Sequence, residues 1–195
     1  AYNYAYIIPG FFLVLLGGIN GPLHNSMVTL LAEKNEVDSK LFVNSINNIL
    51  TLLLLIISFL IFFSSDLIIN LVGPSLTPEI KEIASSQLKI MSPIIFLSGL
   101  IGIGFGSLNA KKEFLIPSIS PLISSLIIII AISSFWINKD NINDQYNPDI
   151  IGGIILAKAT FIGALSQYLI QIPFLIKKRI FEISFSIKTK FSELK

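Results

Sequence analysis

Five stretches of this chain, 1–32, 41–65, 90–110, 114–138 and 159–176, contain no lysine, arginine, aspartate or glutamate. A helix rises 1.5 Å per residue, so about 20 apolar residues cross the roughly 30 Å hydrocarbon core of a bilayer. In lipid the backbone must satisfy its own hydrogen bonds, which favours helices over open strands. The pattern predicts an all-α polytopic membrane protein with about five spanning helices. Composition agrees: only 13% of the residues are charged, against roughly 25% in a soluble domain. The chain has no cysteine, which excludes disulfides, thiolate catalysis and cysteine-ligated metals.

The expected spans are 4–32, 41–65, 79–108, 114–137 and 150–176, forming one bundle over 1–179. Between them, Glu33–Lys40 reads as a polar loop and Asn109–Glu113 as a tight turn. Residues 66–78 hold Gly73, Pro74 and Pro78, which interrupt helices. Asn138–Asp149 reads as a solvated loop without a calcium-binding pattern. From Ile180 onward, Ile180, Ile183, Ile187, Phe191 and Leu194 recur at three and four residues between lysines. That spacing suggests an amphipathic helix at the membrane surface or a linker to further helices. Alternation of Phe181, Ile183, Phe185 and Ile187 leaves a strand open there.

Charges at the span ends give an orientation. Lys34, Lys40, Lys111, Lys112, Lys177, Lys178 and Arg179 fall on one side, and only Lys81 and Lys139 on the other. The first side is therefore expected to be cytoplasmic, with the N-terminus outside and the C-terminus inside. Tyr2, Tyr4, Tyr6, Trp136 and Tyr146 then belong to an outer interfacial belt. The chain opens on Ala1, without a basic region or cleavage site ahead of its apolar run. It reads as a piece of a longer protein that lacks one upstream helix.

Polar residues on these spans are costly and therefore informative. Gly10, Gly17, Asn20, Gly21 and His24 share one helical face, as do Ser85, Lys89, Ser92, Gly99 and Ser107. Asn44, Asn47, Asn48, Thr51 and Ser58 share a third, and Pro117, Ser120, Pro121 and Ser124 cluster likewise. Close helix packing explains small residues well. The asparagines and His24 also suit a wet substrate cavity. Candidates to line it are Lys89, Asn20, His24, Ser85, Ser92, Asn48 and Lys158. For Lys158 the competing reading is a side chain that snorkels outward.

His24 is the single histidine, a poor metal site on its own. Gly102, Gly104 and Gly106 lie inside a charge-free run with the wrong spacing for a nucleotide loop, and read as packing or bending positions. No nucleophile–base pair or metal cluster is evident, which argues against an enzyme. Basic residues flank spans rather than forming a nucleic-acid face, and no cofactor is implied.

The segment LKIMSPIIFLSGLIGIGFGSLNAKKEFLIPSISP, from Leu88 to Pro121, resembles the MurJ/MviN family of lipid II flippases. Pro93, the Leu108–Asn109–Ala110 turn, Phe114, Pro117 and Pro121 carry the likeness. Gln167, Gln171 and Pro173 resemble the end of the family's sixth helix, and Gly21–Glu33 the end of its second. Asn20 stands where many members have glutamate, and Ser125 where many have asparagine.

The resemblance implies a two-lobe transporter of about fourteen helices, in the multidrug/oligosaccharidyl-lipid/polysaccharide exporter superfamily. This chain would be most of the first lobe, its second to sixth helices. The implied activity is moving lipid-linked peptidoglycan precursor to the outer leaflet of the bacterial inner membrane by alternating access, in cell-wall biogenesis. Its partners would be that precursor and membrane lipids, with ion or membrane-potential coupling left open. Lys89 becomes the candidate facing the pyrophosphate. A related polysaccharide or drug exporter is the alternative.

Overall fold

A computed structural model describes residues 1–139 and 148–180. The expected loop beyond Lys139, with Tyr146, and the expected amphipathic segment after Ile180 lie outside the described residues. Among the described residues the chain is entirely helical: α1 (Tyr2–Leu15), α2 (Pro22–Ala32), α3 (Glu36–Phe63), α4 (Ser65–Val72), α5 (Pro78–Met91), α6 (Pro93–Ala110), α7 (Leu115–Asn138), α8 (Pro148–Leu169) and α9 (Ile172–Lys177).

Four helical runs are long and apolar enough to cross a bilayer: Glu36–Phe63, Pro78–Ala110, Leu115–Asn138 and Ile150–Lys177. The expected single span 4–32 is instead two helices. α1 has 14 residues, about 21 Å of rise, and then the chain unwinds over Leu16–Gly21. Gly17, Gly18 and Gly21 are poor helix formers, and Pro22 lacks an amide hydrogen. Asn20 takes a left-handed φ of 67°, a conformation asparagine tolerates better than most residues. Pro22 then starts α2 from its first turn, where its missing donor costs nothing.

The other boundaries follow local chemistry. α3 starts at Glu36, ahead of its charge-free run. The Asn35 side chain accepts from the Asp38 amide at 2.9 Å, and Glu36 and Asp38 favour a helix N-terminus. The stretch expected to break after 65 carries the short α4 before Gly73 and Pro74 end it.

α5 and α6 are interrupted only at Ser92–Pro93. Pro93 cannot donate to the Lys89 carbonyl, four residues back. The Ser92 hydroxyl donates to that carbonyl at 3.0 Å instead, and Ser58 of α3 donates to the Ser92 carbonyl at 2.8 Å. Two hydroxyls thus supply bonds around the break that lipid could not.

α6 is the hub. The most apolar window of the Pro78–Ala110 run is 78% buried, against 11% for α3 and 17% for α7. Four glycines let neighbours reach its backbone. A methyl on Gly99 would meet Leu54 of α3, and one on Gly106 would meet Met27 of α2. On Gly102 it would meet the Leu16 carbonyl, and on Gly104 the Gln171 side chain. The glycine run is therefore a packing device, as its spacing suggested. α7 packs on α8, where Gly163 faces Ser124. Large apolar side chains such as Leu52, Phe59, Leu122 and Ile129 point outward from α3 and α7.

Candidate functional site

The polar residues gather at two ends of the Pro78–Ala110 run. From Lys89 to Asn109 is twenty residues, about 30 Å of helix.

At the Lys89 end, α4 and α5 meet. The Lys89 ammonium lies 3.1 Å from Asp66 Oδ2, with the lysine side chain 38% exposed. The buried Ser85 hydroxyl donates to Asp66 Oδ1 and lies 3.1 Å from the Ser65 hydroxyl. One helical turn separates Ser85 from Lys89, so both grip the same carboxylate from one face of α5. Beside the pair, Asp66, Asn70, Pro78, Lys81 and Glu82 line an open recess of about 380 Å³.

The hydrogen bond from Ser85, and then that from Lys89, hold the Asp66 carboxyl below the ordinary aspartate value of 3.8. Both contacts favour the ionised form. Because the folded value is the lower one, the stabilisation is complete above the ordinary value and is lost as pH falls through the folded value. Asp66 sits in α4, outside the four spanning runs. Thermal melting of wild type should therefore fall as pH is lowered through that window. In Asp66→Asn this component should vanish, and an unchanged acid profile would sink the assignment.

At the other end, the unwound turn before α2 meets the last turn of α6. His24 is buried, and its Nε2 lies 2.7 Å from Asn109 Nδ2. On the other side of the ring, Nδ1 lies 3.1 Å from Asn25 Oδ1. Asn25 Nδ2 donates in turn to the Asn20 carbonyl at 3.0 Å, and the Asn20 backbone amide donates to His24 Nδ1 at 3.3 Å. Asn20, His24, Asn25 and Asn109 thus form one polar knot.

The candidates from sequence fall into place unevenly. Lys89 and Ser85 join at Asp66, while Asn20 and His24 join at Asn109. Ser92 is buried at the α5–α6 break. Asn48 is exposed on α3, and Lys158 is exposed on α8 between the buried Ala157 and Ala159. Neither reaches the two polar groups, and the exposure of Lys158 fits an outward-reaching side chain. Spacing arguments passed over Asp66, Asn25, Asn109 and Gln171. Asp66 had one usable signal: it is the first charge after a span, and Lys89 needed a counter-ion. Among the described residues no group of three His, Cys, Asp or Glu could hold a metal.

The stacked rings of Tyr2 and Tyr6 lie 5.6 Å apart, and the Tyr2 hydroxyl pairs with Thr160 of α8 at 2.8 Å. At the end of α7 the Lys139 ammonium lies 4.0 Å above the Trp136 ring. Amphipathic rings of this kind suit a membrane boundary.

Comparison with known proteins gives one consistent answer. The family model for lipid II flippase MurJ matches residues 1–195. A probable lipid II flippase MurJ of Synechocystis is 40% identical over 88% of this chain and 32% of its own length. The lipid II flippase MurJ of Thermosipho africanus is 32% identical over 80% of this chain and 32% of its own. A probable lipid II flippase MurJ of Buchnera aphidicola is 31% identical over 90% and 33%. The chain thus spans about a third of the length of these curated relatives. No solved structure matches. Four apolar spans and a family match over every residue agree: the chain belongs to the lipid II flippase MurJ family.

Proposed function

We propose that this chain is part of a transporter that carries lipid-linked peptidoglycan precursor from the inner to the outer leaflet of the bacterial cytoplasmic membrane. The family match over residues 1–195 carries the reading. The chemistry is compatible with it. A sugar–peptide–pyrophosphate headgroup needs a wet passage with cations, while its polyprenyl tail can stay in lipid. Two lobes opening alternately would move the headgroup without exposing it to hydrocarbon, and this chain would supply part of the first. The reading is of a carrier, not a catalyst.

Lys89 is the candidate for the pyrophosphate. One hydrogen bond of its ammonium goes to Asp66, and an ammonium has three donors. On the lysine count across the span ends, the His24–Asn109 end is cytoplasmic and the Lys89 and Lys139 ends are external.

Depleting the full-length protein should accumulate lipid II in the inner leaflet; an unchanged leaflet distribution would overturn the proposal. A cysteine placed at Lys139 should react with an impermeant thiol reagent in intact cells. Reaction only after permeabilisation would reverse the orientation. A Lys89→Ala protein that accumulates normally and transports fully would remove Lys89 from the path.

A further inference from the structure

Three helical runs meet at a small pocket. Val43 and Asn47 of α3, Leu100, Ile103, Gly104 and Ser107 of α6, and Tyr168 and Leu175 of α8 and α9 line it. Its volume of about 10 Å³ is close to the least that holds one water. Two buried oxygens, one in its lining and one against the lining residue Gly104, have no hydrogen-bond partner among the described residues. One is the Ser107 hydroxyl, in a residue that is 0% exposed. The other is Gln171 Oε1, also in a fully buried residue.

Gln171 lies against Gly104, a lining residue, because that glycine has no side chain: a Cβ there would lie 2.0 Å from Gln171 Oε1. Its amide nitrogen is already used, donating to the Gln167 carbonyl at 2.9 Å. That bond turns the oxygen towards Gly104. A buried polar atom left without a partner costs about 1–3 kcal/mol, so two beside one void call for a common donor.

We propose that this pocket is a binding site for one water molecule, which donates to Gln171 Oε1 and bonds Ser107 Oγ. Asn47, on the pocket wall, supplies a third polar group, matching the roughly three partners of a typical buried water. A cation fits less well. Neither the lining residues nor Gln171 include a carboxylate, and a buried charge without a counter-charge costs more than neutral oxygens return.

The position gives the water a role. α8 ends at Leu169 and α9 begins at Ile172, so Gln171 sits in the joint of the last span. Pro173 lacks the donor that would carry α8 through this joint. The water ties the joint to α6 and α3 through exchangeable hydrogen bonds rather than by interdigitated packing. A joint held this way can change angle without reopening an apolar core.

X-ray hydroxyl-radical footprinting of the full-length protein tests the site, because radiolysis of a bound water oxidises its immediate neighbours. Leu175, only 6% exposed, should be modified several-fold faster than Leu88, which is equally apolar and 1% exposed. After mixing with ¹⁸O-labelled water, the label should enter Leu175 products slowly. Ser107→Val, which removes the hydroxyl and fills the void, should abolish the excess. Equal modification of Leu175 and Leu88 in wild type would mean a dry pocket and overturn the proposal. Label uptake within the mixing time would mean an open channel, and modification that rises when sodium is replaced by choline would mean a cation. Either result would also overturn it.

Discussion

Gly102→Ala should cripple the fold, lowering both accumulation and melting temperature of the full-length protein. The added methyl would stand 1.8 Å from the Leu16 carbonyl oxygen and 2.8 Å from its carbon. Those are backbone atoms, at the start of the unwound turn between α1 and α2, so no side chain can rotate away. Either α6 shifts, or the turn carrying Asn20 and His24 does. Overpacking a filled core costs about 1–3 kcal/mol and occasionally more; a backbone collision belongs at the upper end. Alanine would itself favour the helix by about 1 kcal/mol over glycine, so the observed loss is net of that gain.

Gly153→Ala is the control. Its methyl would meet the tip of the Gln87 side chain at 2.4 Å, and a flexible tip can move. The prediction is a large loss for Gly102→Ala and a small one for Gly153→Ala. Equal stability of the two variants would show that the close approach of α6 to the broken turn is not a constraint.

The same contact shows what can be read from the chain alone. Lipid imposes a length rule on apolar runs, so the spans over α3, α5–α6, α7 and α8–α9 were legible from charge spacing. That rule is blind inside a charge-free run. Gly17, Gly18, Gly21 and Pro22 announce a break, yet nothing charged interrupts residues 1–32, and one continuous helix was the simpler reading. Faces were partly legible as well. Ser85 and Lys89 share a face because they are four residues apart, but their common partner Asp66 comes from another helix. Helical periodicity relates residues within one helix, and cannot say which residue of a neighbour lies opposite. Gln171 illustrates the same limit: its neighbour in space is a glycine sixty-seven positions earlier, and that contact exists only in three dimensions.

His24 and Asn109 are eighty-five residues apart and hold the broken first segment to the end of α6, which makes their energies interdependent. His24→Ala should leave the part-buried Asn109 side-chain amide without its imidazole partner, at a cost of about 1–3 kcal/mol, and should also open a cavity where the buried ring stood. Asn109→Ala should leave His24 Nε2 without its partner, at a comparable cost. Once either partner is gone the other contributes little, so the double variant should be less damaged than the sum of the singles. Contacting polar pairs of this kind couple by about 0.5–3 kcal/mol in double-mutant cycles. The reading requires that the pair act across helices. Asn25→Ala provides the contrast, because its contacts with Asn20 and His24 stay within the local turn and its side chain is exposed. It should be milder than either of the other two. Unfolding of the full-length protein in mixed micelles measures all of these. Additive losses from His24→Ala and Asn109→Ala would mean that each side chain serves its own helix and that the turn is positioned by the glycine contacts of α6 alone.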